Sequence, residues 1–269
     1  MDDIKFEKVC LITGAGAIEN AWKPIIRILE PDYKFVFDID SSNYFLSLLV
    51  YQLRAIAFDE RPEAKQHLEL ILRDYHLIKS ELCRSLIFAE QHKEIFIRKQ
   101  FFSILDKFIF HKHIKSAQIT TNWDTVVDNA INYYGHSTEG GTIGRLETFH
   151  LHGSVLNPKT LYLPSEIARE PYRSKEESLQ LMKNHSSVLH VVSECNCTIL
   201  YGISLDPLDA ELGQILALGW DSINTNEIVV INPDYLKVVK RVRLLLNNEN
   251  REVKVRAYLP DDLENEILV

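Results

Sequence analysis

The amino-acid sequence predicts an α/β fold, namely a doubly wound, mostly parallel Rossmann-like sheet with an inserted helical module. Short apolar runs alternate with segments of helical periodicity, which is typical of parallel sheets covered by helices. The first apolar run leads into a glycine turn, as the first strand of such a sheet often does. With 269 residues, 46% of them hydrophobic and 25% charged, the chain suits one large domain, which we expect to span residues 1–269.

The elements are assigned in chain order. Residues 8–13 (KVCLIT) predict the first strand, and residues 34–38 (KFVFD) predict a second. Residues 42–115 contain no glycine and have leucines at helical spacing, which predicts three or four helices inserted between strands. Further strands are expected at 117–120, near 147–151, and at 197–201, 227–231 and 253–257, with helices at 123–134, at 174–193 and between the last strands.

Charge and cysteine usage exclude several classes of protein. A net charge of −8 repels phosphate backbones, so we expect no direct nucleic-acid binding. The four cysteines fit neither a disulfide framework nor a four-ligand zinc site. The sequence shows no signal peptide and no apolar run of roughly 18 residues, which predicts a cytoplasmic protein without a membrane segment. A short basic run on one predicted helix is interpreted as a solvated face: Lys237, Lys240, Arg241 and Arg243.

Small or polar residues follow the predicted strands, at the edge where ligands of such a sheet bind. Each group also has a structural interpretation: a tight turn for the glycines, a helix N-cap for the Thr and Asp residues, and half-buried side chains for the histidines. The groups are, in order, Gly14-Ala15-Gly16, Thr120-Thr121-Asn122-Trp123-Asp124, His150-Leu151-His152-Gly153, Gly202-Ile203-Ser204-Leu205 and Asn232-Pro233.

Taken together, this order resembles that of the sirtuin family: GAG, then TxNxD, LHG, GxSL and NP, over residues 13–234. The wording TTNWD, HLHGS and YGISLDPLD is more similar to the bacterial sirtuin-like domains of antiviral NAD-depletion systems than to histone deacetylases. The resemblance implies NAD as the substrate and Asn122 and His152 as the catalytic pair. It also implies a homo-oligomer and an activating partner protein, for example a defence-system ATPase or sensor.

The resemblance further assigns the binding residues. Gly14, Ala15 and Gly16 would hold the pyrophosphate, and Gly202 and Ser204 the phosphate and adenosine side. Asn232 would contact the adenosine ribose, and Thr121 the nicotinamide ribose, with Trp123 and Asp124 near the carboxamide. Because nicotinamide leaves as a neutral molecule, the reaction needs a positioned nucleophile and a proton acceptor rather than a strong acid. Water as nucleophile would give nicotinamide and ADP-ribose.

Two departures from the family pattern bear on activity. Residues 154–200 lack the two CxxC pairs of zinc-bearing sirtuins, so no zinc is expected and hydrolysis is favoured over protein deacylation. The segment GAGAIENAWKPIIR aligns on the family's GAGxSxxSGIPDFR, but Ile18, Ile25 and Ile26 replace its Ser, Asp and Phe. Glu19 or Asn20 are the candidates to substitute for these side chains.

Two other functions remain open. A dehydrogenase would use Gly14 and Gly16 with Asp38 or Asp40 as a dinucleotide fingerprint, although Glu19 replaces the third glycine. A non-catalytic domain would bind NAD or ADP-ribose as a sensor or an assembly subunit. The altered segment after Gly16 favours this second alternative.

Overall fold

A seven-stranded sheet forms the centre of the molecule. The structure is a computed structural model that describes residues 7–30, 37–111, 114–137, 146, 148–246 and 252–267. The strand order is β5-β4-β1-β6-β7-β8-β9, and every neighbouring pair is parallel except β8 and β9. The strands are β1 (Lys8–Thr13), β4 (Lys115–Thr120), β5 (Thr148–His150), β6 (Cys197–Tyr201), β7 (Glu227–Ile231), β8 (Lys254–Leu259) and β9 (Asp262–Ile267).

Helices cover both faces of this sheet, which confirms the doubly wound α/β class. A separate two-stranded ribbon pairs β2 (Ile18–Glu19) with β3 (Phe96–Ile97). The helices are α1 (Lys23–Leu29), α2 (Ile39–Ala57), α3 (Pro62–Gln91), α4 (Gln100–Ile104), α5 (Val126–Ser137), α6 (Lys175–Glu194), α7 (Ala210–Trp220) and α8 (Tyr235–Leu245).

The strands β1, β6 and β7 are largely apolar because both of their faces are buried. Successive side chains of β1 enter opposite cores: Leu11 packs in the core on the side of α2 to α5, and Ile12 packs in the core on the side of α6 to α8. Both residues are fully buried. The same alternation holds for β6 and β7, which explains why KVCLIT, CTILY and EIVVI were recognisable as strands.

The chain between β2 and β4 is largely helical, in the region where the sequence predicts an inserted module. α2 begins at a capping box formed by Asp38 and Ser41. Its buried residues Leu46, Val50 and Leu53 pack in the core that contains Leu11 of β1. The apolar face of α2 therefore packs against the body of the domain.

Three sequence predictions differ from the structure. Residues 253–257 were expected to form the last strand, but β9 follows as an antiparallel edge strand in which half of the residues are exposed and half are acidic. Such a strand lacks the apolar pattern that signals buried strands. The helix expected from residue 123 begins at Val126. The strand expected at 34–38 lies mainly outside the described residues, and residues 37 and 38 are not in a strand.

Asp38 does not take the position of a dinucleotide-fingerprint acid. The neighbours of β1 are β4 and β6, so the strand beside β1 ends at Thr120 rather than at Asp38. The Asp38 carboxylate accepts a hydrogen bond from the Ser41 N–H at the start of α2. This arrangement removes the observation that favoured a dehydrogenase.

Within the described part of the chain, no helix is both long enough and apolar enough to cross a membrane.

Two helical glycines provide a matched test of the packing between α6 and α7. A Cβ on Gly219 would lie 2.5 Å from Val192 Cγ1, whereas a Cβ on Gly135 would meet nothing within 4 Å. We expect Gly219→Ala to lower the free energy of unfolding by about 1–2 kcal/mol, since overpacking outweighs the gain in helix propensity. Gly135→Ala should raise it by up to about 1 kcal/mol. Urea unfolding of both variants measures this, and equal effects would contradict the packing described here.

Candidate functional site

The turns after β1 and β6 meet backbone to backbone at the carboxyl edge of the sheet. Gly14 N–H donates to Tyr201 O (3.1 Å), and Gly16 N–H donates to Gly202 O (3.0 Å). A Cβ on Gly14 would lie 2.8 Å from Gly202 O, and one on Gly202 would lie 2.4 Å from Ala17 N. Gly202 also has a φ of 65°, which disfavours any side chain. These glycines are thus required by close packing between two turns.

This contact changes which amides can serve a phosphate. The N–H groups of Gly14 and Gly16 are used inside the protein, and Ala17 N–H donates to Gly14 O (2.9 Å). Among the described residues, no partner is found for the Ala15 N–H. Of the three backbone N–H groups that were expected to bind the pyrophosphate, those of Gly14 and Gly16 have acceptors within the protein. The Ala15 N–H is therefore the donor of this turn that a phosphate could use.

Asn122 joins the turn after β4 to the turn after β1. Its Nδ2 donates to Gly14 O (3.2 Å), its backbone N–H donates to Thr120 Oγ1 (3.1 Å), and the residue is buried. Thr121 N–H donates to Thr13 O (2.9 Å), so the register between β1 and β4 continues one residue past the strand. The structure thus brings Asn122 and Thr121 next to the glycine turn.

The two histidines of the HLHG motif have different surroundings. β5 ends at His150, so His152 lies in the following turn, and strand alternation does not place the two side chains on one face. His150 Nδ1 lies 3.1 Å from Asn122 O, and its Nε2 lies 3.0 Å from Asp128 Oδ2. Burial lowers the pKa of His150, but Asp128, the Asn122 backbone and the charge of Asp124 together raise it by more, so the pKa is above its ordinary value.

His152 forms an ion pair with a residue far along the chain. Its Nε2 lies 3.1 Å from Asp209 Oδ1, and its ring stacks on Tyr162 with centroids 5.6 Å apart and an interplanar angle of 6°. Burial lowers the pKa of His152, whereas the charge and hydrogen bond of Asp209 and the charge of Glu211 raise it. A hydrogen bond to the Thr121 backbone acts in the same direction, so the pKa lies above its ordinary value. Leu151 N–H donates to Thr120 O (2.9 Å), which places the HLHG turn beside the end of β4.

Trp123 and Asp124 both have partners within the protein. Trp123 Nε1 donates to Tyr162 O (3.0 Å), and Asp124 Oδ1 accepts from Val126 N–H (3.0 Å) at the start of α5. The capping interpretation of Asp124 therefore fits the geometry. Burial raises the pKa of Asp124 to about 6, the Val126 hydrogen bond lowers it by less, and the charge of Glu90 adds to the increase. Asp124 therefore ionises at a higher pH than an exposed aspartate.

The last two motifs connect the turns after β6 and β7. Asn232 is buried, its Nδ2 donates to Ile203 O (2.9 Å), and its Oδ1 accepts from Asp234 N–H (2.8 Å). Ser204 is exposed, and its carbonyl accepts from Arg241 Nη1 (2.8 Å). Of Ser204 and Asn232, therefore, Ser204 is the residue whose side chain is accessible to a ligand.

The segment after the glycine turn contacts the chain between α3 and α4. Glu19 forms an ion pair with Arg98 (2.7 Å), and Asn20 Nδ2 donates to Glu94 O (3.2 Å). Ile18 and Ile25 are buried in the core. The isoleucines that replace the family's polar residues therefore act as core residues, and Glu19 and Asn20 have structural partners of their own.

Sequence reasoning missed a buried polar group next to His152. His185 Nδ1 lies 2.7 Å from Glu211 Oε1, and His185 Nε2 lies 3.3 Å from Leu151 O. Burial lowers the pKa of His185 to about 4 and raises that of Glu211 to about 7. We therefore assign one proton to the contact between them. No motif marks these residues, because α6 and the start of α7 bring them to the site only in the folded chain.

All four cysteines are reduced and buried: Cys10, Cys83, Cys195 and Cys197. Across the described ranges, no group of three or more His, Cys, Asp or Glu residues is arranged to hold a metal ion.

Comparisons with known proteins add little to this geometry. No family model matches the chain, and no curated protein matches it. Among solved structures, the chain is similar to one from work on the structural basis for the mechanism and regulation of Sir2 enzymes. The identity is 15% over 93% of this chain and 86% of that chain, with a TM-score of 0.32. So low a score supports no functional argument, and the fold class rests on the strand order itself.

The buried carboxyl of Asp124 gives a pH-dependent prediction. Its stability contribution is present below about pH 4, where the unfolded chain is protonated as well, and is lost as the pH rises to about 6. Asn keeps the oxygen that accepts from Val126. We expect Asp124→Asn to raise the free energy of unfolding by about 3 kcal/mol at pH 8 and by about half as much at pH 5.

Chemical denaturation at both pH values measures this difference. Asp74→Asn, on an exposed part of α3, is the matched control and should change stability by less than about 0.5 kcal/mol. A loss of stability in Asp124→Asn at pH 8 would show that the carboxylate is charged and well solvated in the folded protein.

Proposed function

We propose that this protein binds NAD at the carboxyl edge of its sheet and hydrolyses the bond between nicotinamide and ribose. One observation carries the proposal: Asn122 contacts the glycine turn through Gly14 O, while Leu151, which precedes His152, donates its N–H to Thr120 O. Three separate motifs of the sirtuin-like series therefore meet at one place. Such a meeting of glycine turn, amide and imidazole suits a dinucleotide whose glycosidic bond is to be cleaved.

The proposal distributes NAD along this edge. The Ala15 N–H is the donor assigned to the pyrophosphate, with Gly14 and Gly16 allowing the close approach of backbone. Gly202 and Ser204 are assigned to the phosphate and adenosine side, and Asn232 shapes the turn beside the adenosine ribose. Thr121 is assigned to the nicotinamide ribose, and Trp123 and Asp124 to the surroundings of the carboxamide.

The chemistry follows from the leaving group. Water attacks C1′ of the nicotinamide ribose, the C–N bond breaks, and its electron pair stays on the nicotinamide nitrogen, which becomes neutral. The transition state resembles an oxocarbenium ion. Asn122 orients the ribose or the water, and neutral His152 accepts the proton that the water loses. The products are nicotinamide, ADP-ribose and one proton.

We further propose a role in NAD depletion during antiviral (anti-phage) defence. Support comes from the wording of the motifs TTNWD, HLHGS and YGISLDPLD, which resembles that of defence domains. Uncontrolled loss of NAD would harm the cell, so such an activity needs a switch. We assign that switch to homo-oligomer assembly or to an activating partner protein.

A non-catalytic NAD or ADP-ribose sensor is the second candidate. It is favoured by the number of site groups that already have protein partners. Asn122 Nδ2 is bound to Gly14 O, His152 to Asp209, and Glu19 to Arg98. A catalytic site has to release some of these groups to the substrate, whereas a binding module can leave them as they are.

Substitution of the assigned pair tests the hydrolase. We expect Asn122→Ala and His152→Ala each to reduce nicotinamide release by on the order of 10²-fold or more, because a positioned general base contributes on the order of 10²–10⁴ in rate. Chromatography of purified protein incubated with NAD measures the release. Asn265→Ala on β9 and His190→Ala on α6, both at exposed positions, are matched controls that should retain the wild-type rate.

Calorimetric titration with NAD separates the two candidates. Heat of binding without nicotinamide release, in the presence of any activating partner as well, would favour the sensor. Full activity in both alanine variants would exclude the assigned catalytic pair.

A further inference from the structure

Asp209 lies at the end of the loop between β6 and α7, and its backbone is held there by hydrogen bonds. Its Oδ1 accepts from Leu212 N–H (3.3 Å) as the N-cap of α7, and its own N–H donates to Asp206 O (2.8 Å). An N-cap carboxylate has little freedom to rotate, since its oxygen is bound to the first turn of the helix. The position of the Asp209 carboxylate is therefore set by the start of α7.

The same oxygen that caps α7 lies 3.1 Å from His152 Nε2. The face of the imidazole stacks on Tyr162, whose own N–H donates to His152 O (2.9 Å). The Arg173 guanidinium lies 4.9 Å from the Tyr162 ring centroid and is held by an ion pair with Glu166 (2.6 Å). His152 is thus fixed along one edge by Asp209 and on one face by Tyr162.

We propose that Asp209 is a positioning residue for His152, which holds the imidazole ring by its Nε2 atom. The inference rests on the proposed function, since it describes how the assigned base is prepared for the reaction. A carboxylate beside Nε2 attracts an N–H and repels a lone pair, so it fixes the orientation of the ring. The same carboxylate stabilises the imidazolium that forms when the water proton arrives.

The charged surroundings of His152 identify Asp209 as the group to change. From α7, Glu211 also raises its pKa, and the Thr121 backbone does so from the turn after β4. From α6, His185 lies near enough that the two histidines influence each other. The Arg173 guanidinium lies on the Tyr162 side. Of these groups, Asp209 is the one in ion-pair contact with the ring.

Asp209→Asn isolates the charge, because Asn caps helices as well as Asp does and nearly matches its shape. We expect the pKa of His152 to fall by about one unit or more, as opposite charges at this range shift a pKa by about 1–3 units. The acid limb of nicotinamide release should move to lower pH by the same amount, while the maximal rate falls. In Asp209→Glu, which keeps the carboxylate, the pKa of His152 should lie between its values in Asp209→Asn and in the wild type.

NMR titration of histidine ring signals in the full chain measures the pKa, with the His152 signal assigned through His152→Ala. Asp206→Asn is the matched control, since Asp206 lies in the same loop and bonds to Leu208 N–H rather than to His152. An unchanged His152 titration in Asp209→Asn would overturn the inference whatever the activity. If the wild type releases no nicotinamide, the proposed hydrolase fails, and a lowered pKa would still support Asp209 as the residue that holds the ring.

Discussion

The turns after β1 and β6 approach each other with no room for side chains, and the positions of the other site residues follow from this contact. Gly14 and Gly16 donate to backbone oxygens of the β6 end, and a Cβ on Gly202 would overlap the Ala17 amide. Gly14 O then receives the Asn122 amide. Asn122 O in turn lies within hydrogen-bond distance of His150. The close approach of the turns after β1 and β6, where the strand order reverses, therefore sets the positions of Asn122 and His150.

Several ionisable groups at this edge of the sheet are buried at a cost in free energy. Burial raises the pKa of Asp124 and of Glu211 and lowers that of His185, which contacts Glu211. For His152, the ion pair with Asp209 offsets the cost of burying the charged ring. Carboxyl and imidazole groups whose pKa values are displaced by burial and by specific partners are characteristic of functional sites. Their concentration near His152 is a second reason to look for chemistry there, independent of the motif order.

Local patterns predicted the buried strands well and the exposed or cross-chain features poorly. β1, β6 and β7 have the bounds expected from their apolar runs, since two buried faces favour apolar residues at successive positions. β9 was missed because an edge strand with acidic, exposed residues lacks that pattern. The α5 start was placed too early because the capping contact of Asp124 depends on the fold of the turn.

The sequence by itself determined the α/β class, the mostly parallel character of the sheet and the location of polar residues at strand ends, because these depend on local hydrophobicity and turn chemistry. The tertiary structure decided which of those residues meet. In the folded chain the Gly14 and Gly16 N–H groups donate to backbone oxygens at the end of β6, and the Ala15 N–H does not take part in these hydrogen bonds. It also brought Asp209 to His152, across 57 positions of the chain. Contacts at such separation arise from strand order and helix placement, which no local pattern encodes.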